Sequence, residues 1–329
     1  MKIRQFLWVA IAGLTTGASA PADLPLRIDL PVKCSMQTDC PVQKLVDVDA
    51  TPARVDYRCG RLTTDGHDGI DIRVRTMADM RRGFDVVAAA PGRVLRARDG
   101  EPDMTVHDRA SLGGRDAGNG VVIDHGNGWE TQYSHLRNGS VAVRPGATVV
   151  AGQRIGSIGM SGNAEFPHLH FTVRHGGDAV DPFTGHAPPS ACSLNKVRQS
   201  LWSKDAEQAF RYRPTAIIAV GFSHTPPSQS VADREQVANA VGARTPMVLW
   251  ADALGAMPGD TQRFEIRGPD GKIVLEQTSI VVKGGLSWLA YAGRKPPADA
   301  WRRGIYKGRY ALQRSGTIVD VREGWLTIE

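Results

Sequence analysis

Residues 166–171 read FPHLHF, placing His168 and His170 on alternate positions between aromatic residues. On a β-strand, alternate side chains share a face, so the two imidazoles would stand side by side while Leu169 faces a core. Upstream, DGHDGID at 65–71 supplies His67 and Asp71 with three residues between them. Histidine with a carboxylate is an ordinary ligand set for zinc, and a catalytic zinc takes three protein ligands and keeps one position open. Gly66 and Gly69 allow the backbone to turn tightly around a bound ion. Between these stretches lies Tyr133-Ser134-His135-Leu136. Taken singly, each segment has a plain reading, as two idle strand histidines or an acidic surface turn. Taken together, three separated segments each offer a histidine at the edge of an apolar run.

The remaining titratable residues read more simply. His125, in IDHGNG, reads as a hairpin residue that is structural or supports a ligand, and not as catalytic. His107, His175, His186 and His224 lack partner motifs and read as surface or loop positions. Asp65 and Asp68 flank the first motif, where they could orient a ligand, although solvated carboxylates are commoner. Tyr133 reads as core rather than as an oxyanion donor.

These side chains need a β scaffold. The 329 residues include 36 Gly and 20 Pro with only 6% aromatic content, which favours short strands and turns over long helices. Short apolar runs such as VVAAAPGRVLRARD, GNGVVIDHGNGWETQYSHL and HLHFTVRHGG are separated by Gly-rich turns. Asn127-Gly128 is a strong hairpin signal. Helical spacing is confined to RTMADMRRG at 75–83, with short candidates near 195–210 and at 230–243. The fold class expected is all-β and mainly antiparallel. Residues 21–58 read as an extended lead-in, 59–187 as a β-sheet domain, 188–214 as a connector, and 215–329 as a smaller β-sandwich-like domain of immunoglobulin type. Pro269-Asp270-Gly271 marks a hairpin within the last.

The chain opens MKIRQFLWVAIAGLTTGASA: a basic start, a short apolar run and a small-x-small cleavage pattern. Residues 1–20 thus read as a signal peptide, too short in its apolar run to span a bilayer, and no later stretch is long and apolar enough to do so. Four cysteines, Cys34, Cys40, Cys59 and Cys192, follow it. An even number in an exported chain suggests two disulfides. Three pairings are possible, and we favour Cys34–Cys40 as a local loop with Cys59–Cys192 as a staple. The net charge is +6, with Arg scattered among Asp, so nucleic acid finds little support as a partner.

The joint pattern H-x-G-x-D, then Y-x-H-L, then H-L-H-F resembles the M23 (lysostaphin-like, LytM-type) family of zinc peptidases. The likeness spans roughly residues 60–183 and includes GNGVVIDHGNG, VRPGATVVAGQRIGSIGMSGN and Val180-Asp181-Pro182. It implies a LytM-type β-sheet domain in which His67, Asp71 and His170 are zinc ligands and His135 and His168 are catalytic. It also implies an exported endopeptidase, periplasmic or secreted, acting on peptidoglycan cross-links. Two alternatives stay open. Some relatives have lost zinc ligands and activate cell-wall amidases without catalysis, although all three ligands are present here. The other is a secreted lysin or protease acting on a non-self or non-wall substrate. No role for residues 215–329 follows from the resemblance.

Overall fold

The computed structural model describes residues 25–105, 109–190, 192, 194, 199–230 and 242–329. The proposed signal peptide and His107 lie outside the described residues. The chain is nearly all β, with 44% strand and 5% helix. Its first ten strands are β1 (Val42–Lys44), β2 (Ile70–Arg73), β3 (Asp85–Val87), β4 (Gly92–Arg98), β5 (Asn119–Gly126), β6 (Trp129–Leu136), β7 (Thr148–Val149), β8 (Arg154–Ser157), β9 (His168–His175) and β10 (Asp178–Val180). Eight of them make one antiparallel sheet in the order β1-β2-β9-β6-β5-β4-β7, with β10 also paired to β9, while β3 and β8 pair separately.

Register places the chemistry. Asp71 of β2 lies opposite His170 of β9, and His170 lies opposite Ser134 of β6. The alternate set Ile70, Ile72, Leu169, Phe171 and Tyr133 is buried at 1% exposure or less. One face is therefore core and the other carries the polar groups. The β5–β6 hairpin turns at Asn127 and Gly128, both with positive φ of 51° and 77°. That is the turn whose twist matches an antiparallel pair.

The lead-in and connector are built into this unit. Ile28, Val32, Met36, Leu45 and Tyr57 join the core, as do Leu201, Trp202, Ala206 and Phe210. Each large side chain so buried contributes about 1.5–3 kcal/mol before entropy is counted. Both favoured disulfides form, Cys34–Cys40 and Cys59–Cys192. Helix α1 (Met77–Arg82) begins at Thr76, whose side chain accepts from Asp79 N, and ends at Gly83 with φ 89°. Its Met77 and Met80 are buried, the i, i+3 spacing of one helix face. Helix α2 (Lys204–Ala209) is capped by Ser203. It falls within the stretch expected to be helical near 195–210, of which 195–198 lie outside the described residues.

Residues beyond form a sandwich of two antiparallel sheets. Strands β11 (Ala216–Ser223), β12 (Met247–Ala256) and β15 (Gly285–Arg294) form one. Strands β14 (Ile273–Ile280), β13 (Thr261–Arg267), β16 (Gly304–Arg314) and β17 (Thr317–Ile328) form the other. Phe222, Leu249 and Ala292 from the first sheet meet Phe264, Tyr306, Tyr310 and Leu326 from the second. The β13–β14 turn uses Pro269-Asp270-Gly271, with Gly271 at φ 76°. The helix expected at 230–243 falls mostly on 231–241, outside the described residues. The sandwich meets the first sheet at its β1–β2 edge. Buried Arg73 donates to Gln43 Oε1 at 2.6 Å, reaches Asp252 Oδ2 at 3.5 Å and lies over the Phe166 ring. Arg75 donates to the carbonyls of Ile217 and Ile218. These contacts brace the strand that carries Asp71.

Candidate metal centre

The loop before β2 is shaped by the lead-in. Gly66 takes φ +69° and donates its N–H to Asp47 Oδ2 at 3.0 Å. His67 Nδ1–H donates to the carbonyl of Leu45 at 2.8 Å. A carbonyl only accepts, so Nδ1 carries the proton and the lone pair sits on Nε2. That Nε2 lies 3.0 Å from Asp71 Oδ1. Across the β2–β9 ladder, His170 Nδ1 lies 2.9 Å from the same oxygen. Its Nε2 faces Asp68 Oδ1 at 3.1 Å and Thr172 Oγ1 at 3.0 Å. Gly69 makes this approach possible, because a Cβ there would lie 2.7 Å from His170 Nε2 and 2.8 Å from the Phe171 carbonyl.

The Asp71 carboxylate is divided between two tasks. Oδ1 faces His67, His170 and, at 3.5 Å, His168 Nε2. Oδ2 is paired with Lys44 Nζ at 3.3 Å, the residue opposite Asp71 in the β1–β2 ladder. Burial works to raise the Asp71 pKa, but the electrostatic influence of the neighbouring His67 and His168 and the hydrogen bond from His170 outweigh it. The carboxyl is held well below the usual carboxylate range. Burial also opposes protonation of His170, yet hydrogen bonds to Asp68 and Asp71 and their charges lift it to about 9. In the metal-free chain this ring therefore keeps its proton at neutral pH.

His67, Asp71 and His170 form a group able to hold a metal ion, with donor atoms all within 4.8 Å of one another. The two separations from Asp71 Oδ1, 3.0 and 2.9 Å, sit close to the ~3.3 Å between donors around a four-coordinate zinc. Two imidazoles and one carboxylate, each held by further hydrogen bonds, suit zinc in type and number.

His168 and His135 border this group without joining it. His168 Nδ1–H donates to the Phe166 carbonyl at 2.7 Å, and His135 Nδ1–H to the Ser161 carbonyl at 2.7 Å. Both rings thus keep an Nε2 lone pair. Their centroids are 4.7 Å apart, and that of His135 is 6.0 Å from His170. Burial, first of all, pushes His168 down to about 4 against the pull of Asp71. Burial and the neighbouring His168 and His170 lower His135 well below its ordinary value. His135 has φ 60° while its N–H donates to the Ala117 carbonyl. Such a left-handed residue costs about 1–3 kcal/mol unless its surroundings fix it, and these are common at functional sites.

The motif residues singled out in sequence, His67, Asp71, His135, His168 and His170, converge on one face. Asp68, whose commoner reading was a solvated carboxylate, instead accepts from His170 and from Arg174 at 2.9 Å. Asp65 is exposed. Tyr133 is core, its hydroxyl accepting from Ala89 N. His125 is structural, held by the Pro91 carbonyl and Thr131. His175, His186 and His224 are exposed. Sequence reasoning missed Lys44, Asp47, Thr172 and Arg174. Thr172 and Arg174 continue the His168–His170 alternation, a signal available on the strand itself. Lys44 and Asp47 carry no such mark, because their relevance depends on which strand and loop they meet.

Comparison with known proteins finds similarity over the stretch that carries this site. Residues 65–182 match the model for peptidase family M23. Among curated relatives, the peptidoglycan DD-endopeptidase ShyA of Vibrio cholerae is 42% identical over 91 residues, covering 28% of this chain and 21% of that protein. The DD-carboxypeptidase/endopeptidase Mpg of Neisseria meningitidis is 37% identical over 121 residues, covering 36% of this chain and 26% of that one. The chain thus spans only about a fifth to a quarter of the length of these relatives. Among solved structures, the catalytic domain of the antimicrobial peptidase lysostaphin from Staphylococcus simulans is 26% identical, covering 36% of this chain and 76% of that one, with a TM-score of 0.27. The stretch that holds all five motif residues, 65–182, is the part of the chain that matches peptidase family M23.

Proposed function

We propose that this chain is an exported, zinc-dependent endopeptidase that hydrolyses peptide cross-links of peptidoglycan. His67, Asp71 and His170 would hold the zinc, with residues 59–187 as the catalytic unit. The observation that carries this reading is the orientation of the imidazoles. His67, His135 and His168 each spend Nδ1–H on a backbone carbonyl and keep Nε2 as an acceptor toward one site. Zinc, when bound, polarises the scissile carbonyl and acidifies the attacking water. His168 and His135 are neutral at pH 7, so one can take a proton from that water as general base. Once protonated at Nε2, the same ring becomes a donor to the developing oxyanion or the leaving amine. Their fixed Nδ1 partners keep each ring in one tautomer throughout. Lys44 occupies the second oxygen of Asp71, which leaves one oxygen for the metal.

The two disulfides support an oxidising compartment, and the sequence of residues 1–20 supports export to the periplasm. The substrate class follows the activities by which these relatives are named. The test incubates the purified chain, loaded with zinc, with purified peptidoglycan and measures new amino groups. Chelator-sensitive release, abolished by His168→Ala and by His135→Ala, supports the reading. A zinc-loaded chain that releases nothing contradicts it and favours a non-catalytic activator of amidases.

A further inference from the structure

The polar face of the sheet continues past the metal centre, and register says what it carries. From β9 to β6 the row runs His170 to Ser134, and Thr172 to Gln132. From β6 to β5, Gln132 lies opposite Val122. From β5 to β4, Val122 lies opposite Arg96 and Gly120 opposite Arg98. Two arginines therefore share the face of the metal-centre histidines, three strands away. Arg96, Arg98, Gln132, Ser134, Gly118 and Gly120 line one cleft of about 400 Å³.

The floor between the two ends is fixed and uncharged. Gln132 donates to Ser134 Oγ at 2.9 Å and accepts from Arg174 at 3.3 Å. At the far end, Arg98 Nε–H donates to the Gly118 carbonyl at 2.6 Å, which anchors the guanidinium by one edge. Four further N–H donors remain on its two terminal nitrogens. Among the described residues, no carboxylate lies within ion-pair distance of Arg98. Arg96 meets Glu130 at 3.8 Å, with Arg96 72% exposed. An exposed pair at that distance is worth little and is readily exchanged. An anchored guanidinium with free donors is the group best suited to bidentate recognition of a carboxylate.

We propose that Arg98, with Arg96, forms a carboxylate-recognition subsite that reads an acidic group on the substrate peptide about four residues from the cleaved bond. This rests on the reading of the centre as a peptidase site. The spacing follows from three strand separations of ~4.8 Å, about 14 Å in all, against ~3.3–3.6 Å per residue of extended peptide.

The test uses the full chain and fluorescence polarisation. One probe is a fluorescein-labelled stem tetrapeptide of peptidoglycan with free carboxylates. The other is the same peptide with every carboxylate amidated. The wild type is expected to bind the acidic probe at least tenfold more tightly. Arg96→Gln with Arg98→Gln should reduce that ratio below threefold while leaving the metal content unchanged, and Arg98→Lys should fall between. A carboxylate could also sit on the metal, so the double variant decides. A wild-type ratio below threefold, or a double variant that keeps the tenfold ratio, overturns the proposal. Cleavage is scored separately: a chain that binds the acidic probe through these arginines but cleaves nothing refutes the peptidase reading and leaves the subsite standing.

Discussion

Replacing Asp68 by Asn isolates the contribution of one outer contact to the metal centre. His170 can ligate through Nδ1 only if Nε2 carries the proton, and Asp68 Oδ1 at 3.1 Å is the charged acceptor for that proton. A hydrogen bond to a charged partner is worth about 1.5–3 kcal/mol, against about 0.5–1.5 kcal/mol for a neutral one. The difference is about 1–1.5 kcal/mol, or roughly five- to tenfold in affinity. The Asp68 side chain is 46% exposed, which screens its charge and favours the lower end of that range. Thr172 Oγ1 at 3.0 Å remains as a second acceptor, so the loss should not be larger. Zinc affinity is measured by competition with a chromogenic chelator at fixed pH and ionic strength. Asp68→Asn should bind zinc about fivefold more weakly than the wild type. Affinity within twofold of wild type refutes the reasoning and makes Asp68 a solvated carboxylate. A loss beyond a hundredfold refutes it the other way, by making Asp68 a ligand.

Gly69→Ala should abolish stoichiometric zinc binding while the chain stays folded, because a Cβ there would lie 2.7 Å from His170 Nε2 and beside rigid backbone; zinc titration with circular dichroism checks both. With metal chelated, thermal stability should peak near pH 6.5. His170, raised from 6.5 to about 9 by hydrogen bonds and charges of Asp68 and Asp71 that overcome burial, stabilises the fold fully below 6.5 and loses that contribution as pH rises through 9. His168, lowered to about 4 by burial, stays neutral in the fold while the unfolded chain protonates, so stability falls as pH drops from 6.5 toward 4. A melting temperature that rises steadily to pH 9 in the presence of chelator contradicts this. Cys59→Ser with Cys192→Ser opens a covalent loop with a sequence separation of 133 and should cost about 5 kcal/mol in denaturant unfolding, whereas a change below 1 kcal/mol refutes the staple.

The candidate ligands were legible because each sits in a short local pattern. His168 and His170 share a strand face by alternation alone, and Asn127-Gly128 fixes the hairpin that sets β6 beside β5. The pairing Cys34–Cys40 could be favoured for its short loop, and Cys59–Cys192 then follows. What could not be read is whatever depends on the partner. Lys44 looks like any strand lysine until β1 pairs with β2 and sets it opposite Asp71. Asp68 looks like a turn carboxylate until β9 delivers His170 to it. The lead-in reads as an extended arm because its apolar residues follow no period. Ile28, Leu45 and Tyr57 nonetheless fill the core, and Leu45 lends the carbonyl that orients His67. Arg96 and Arg98 were scattered arginines in sequence, and only strand order puts them on the face of the metal centre.

The most direct test of the account is the metal content of the purified chain, by elemental analysis, beside His170→Ala and Asp71→Ala prepared in the same way. One zinc per wild-type chain is expected, and less than about a tenth in either variant, since three oriented donors are the minimum for a catalytic zinc site. A wild-type chain that takes up no zinc when it is supplied, or variants that retain it in full, would contradict the claim that His67, Asp71 and His170 form the centre.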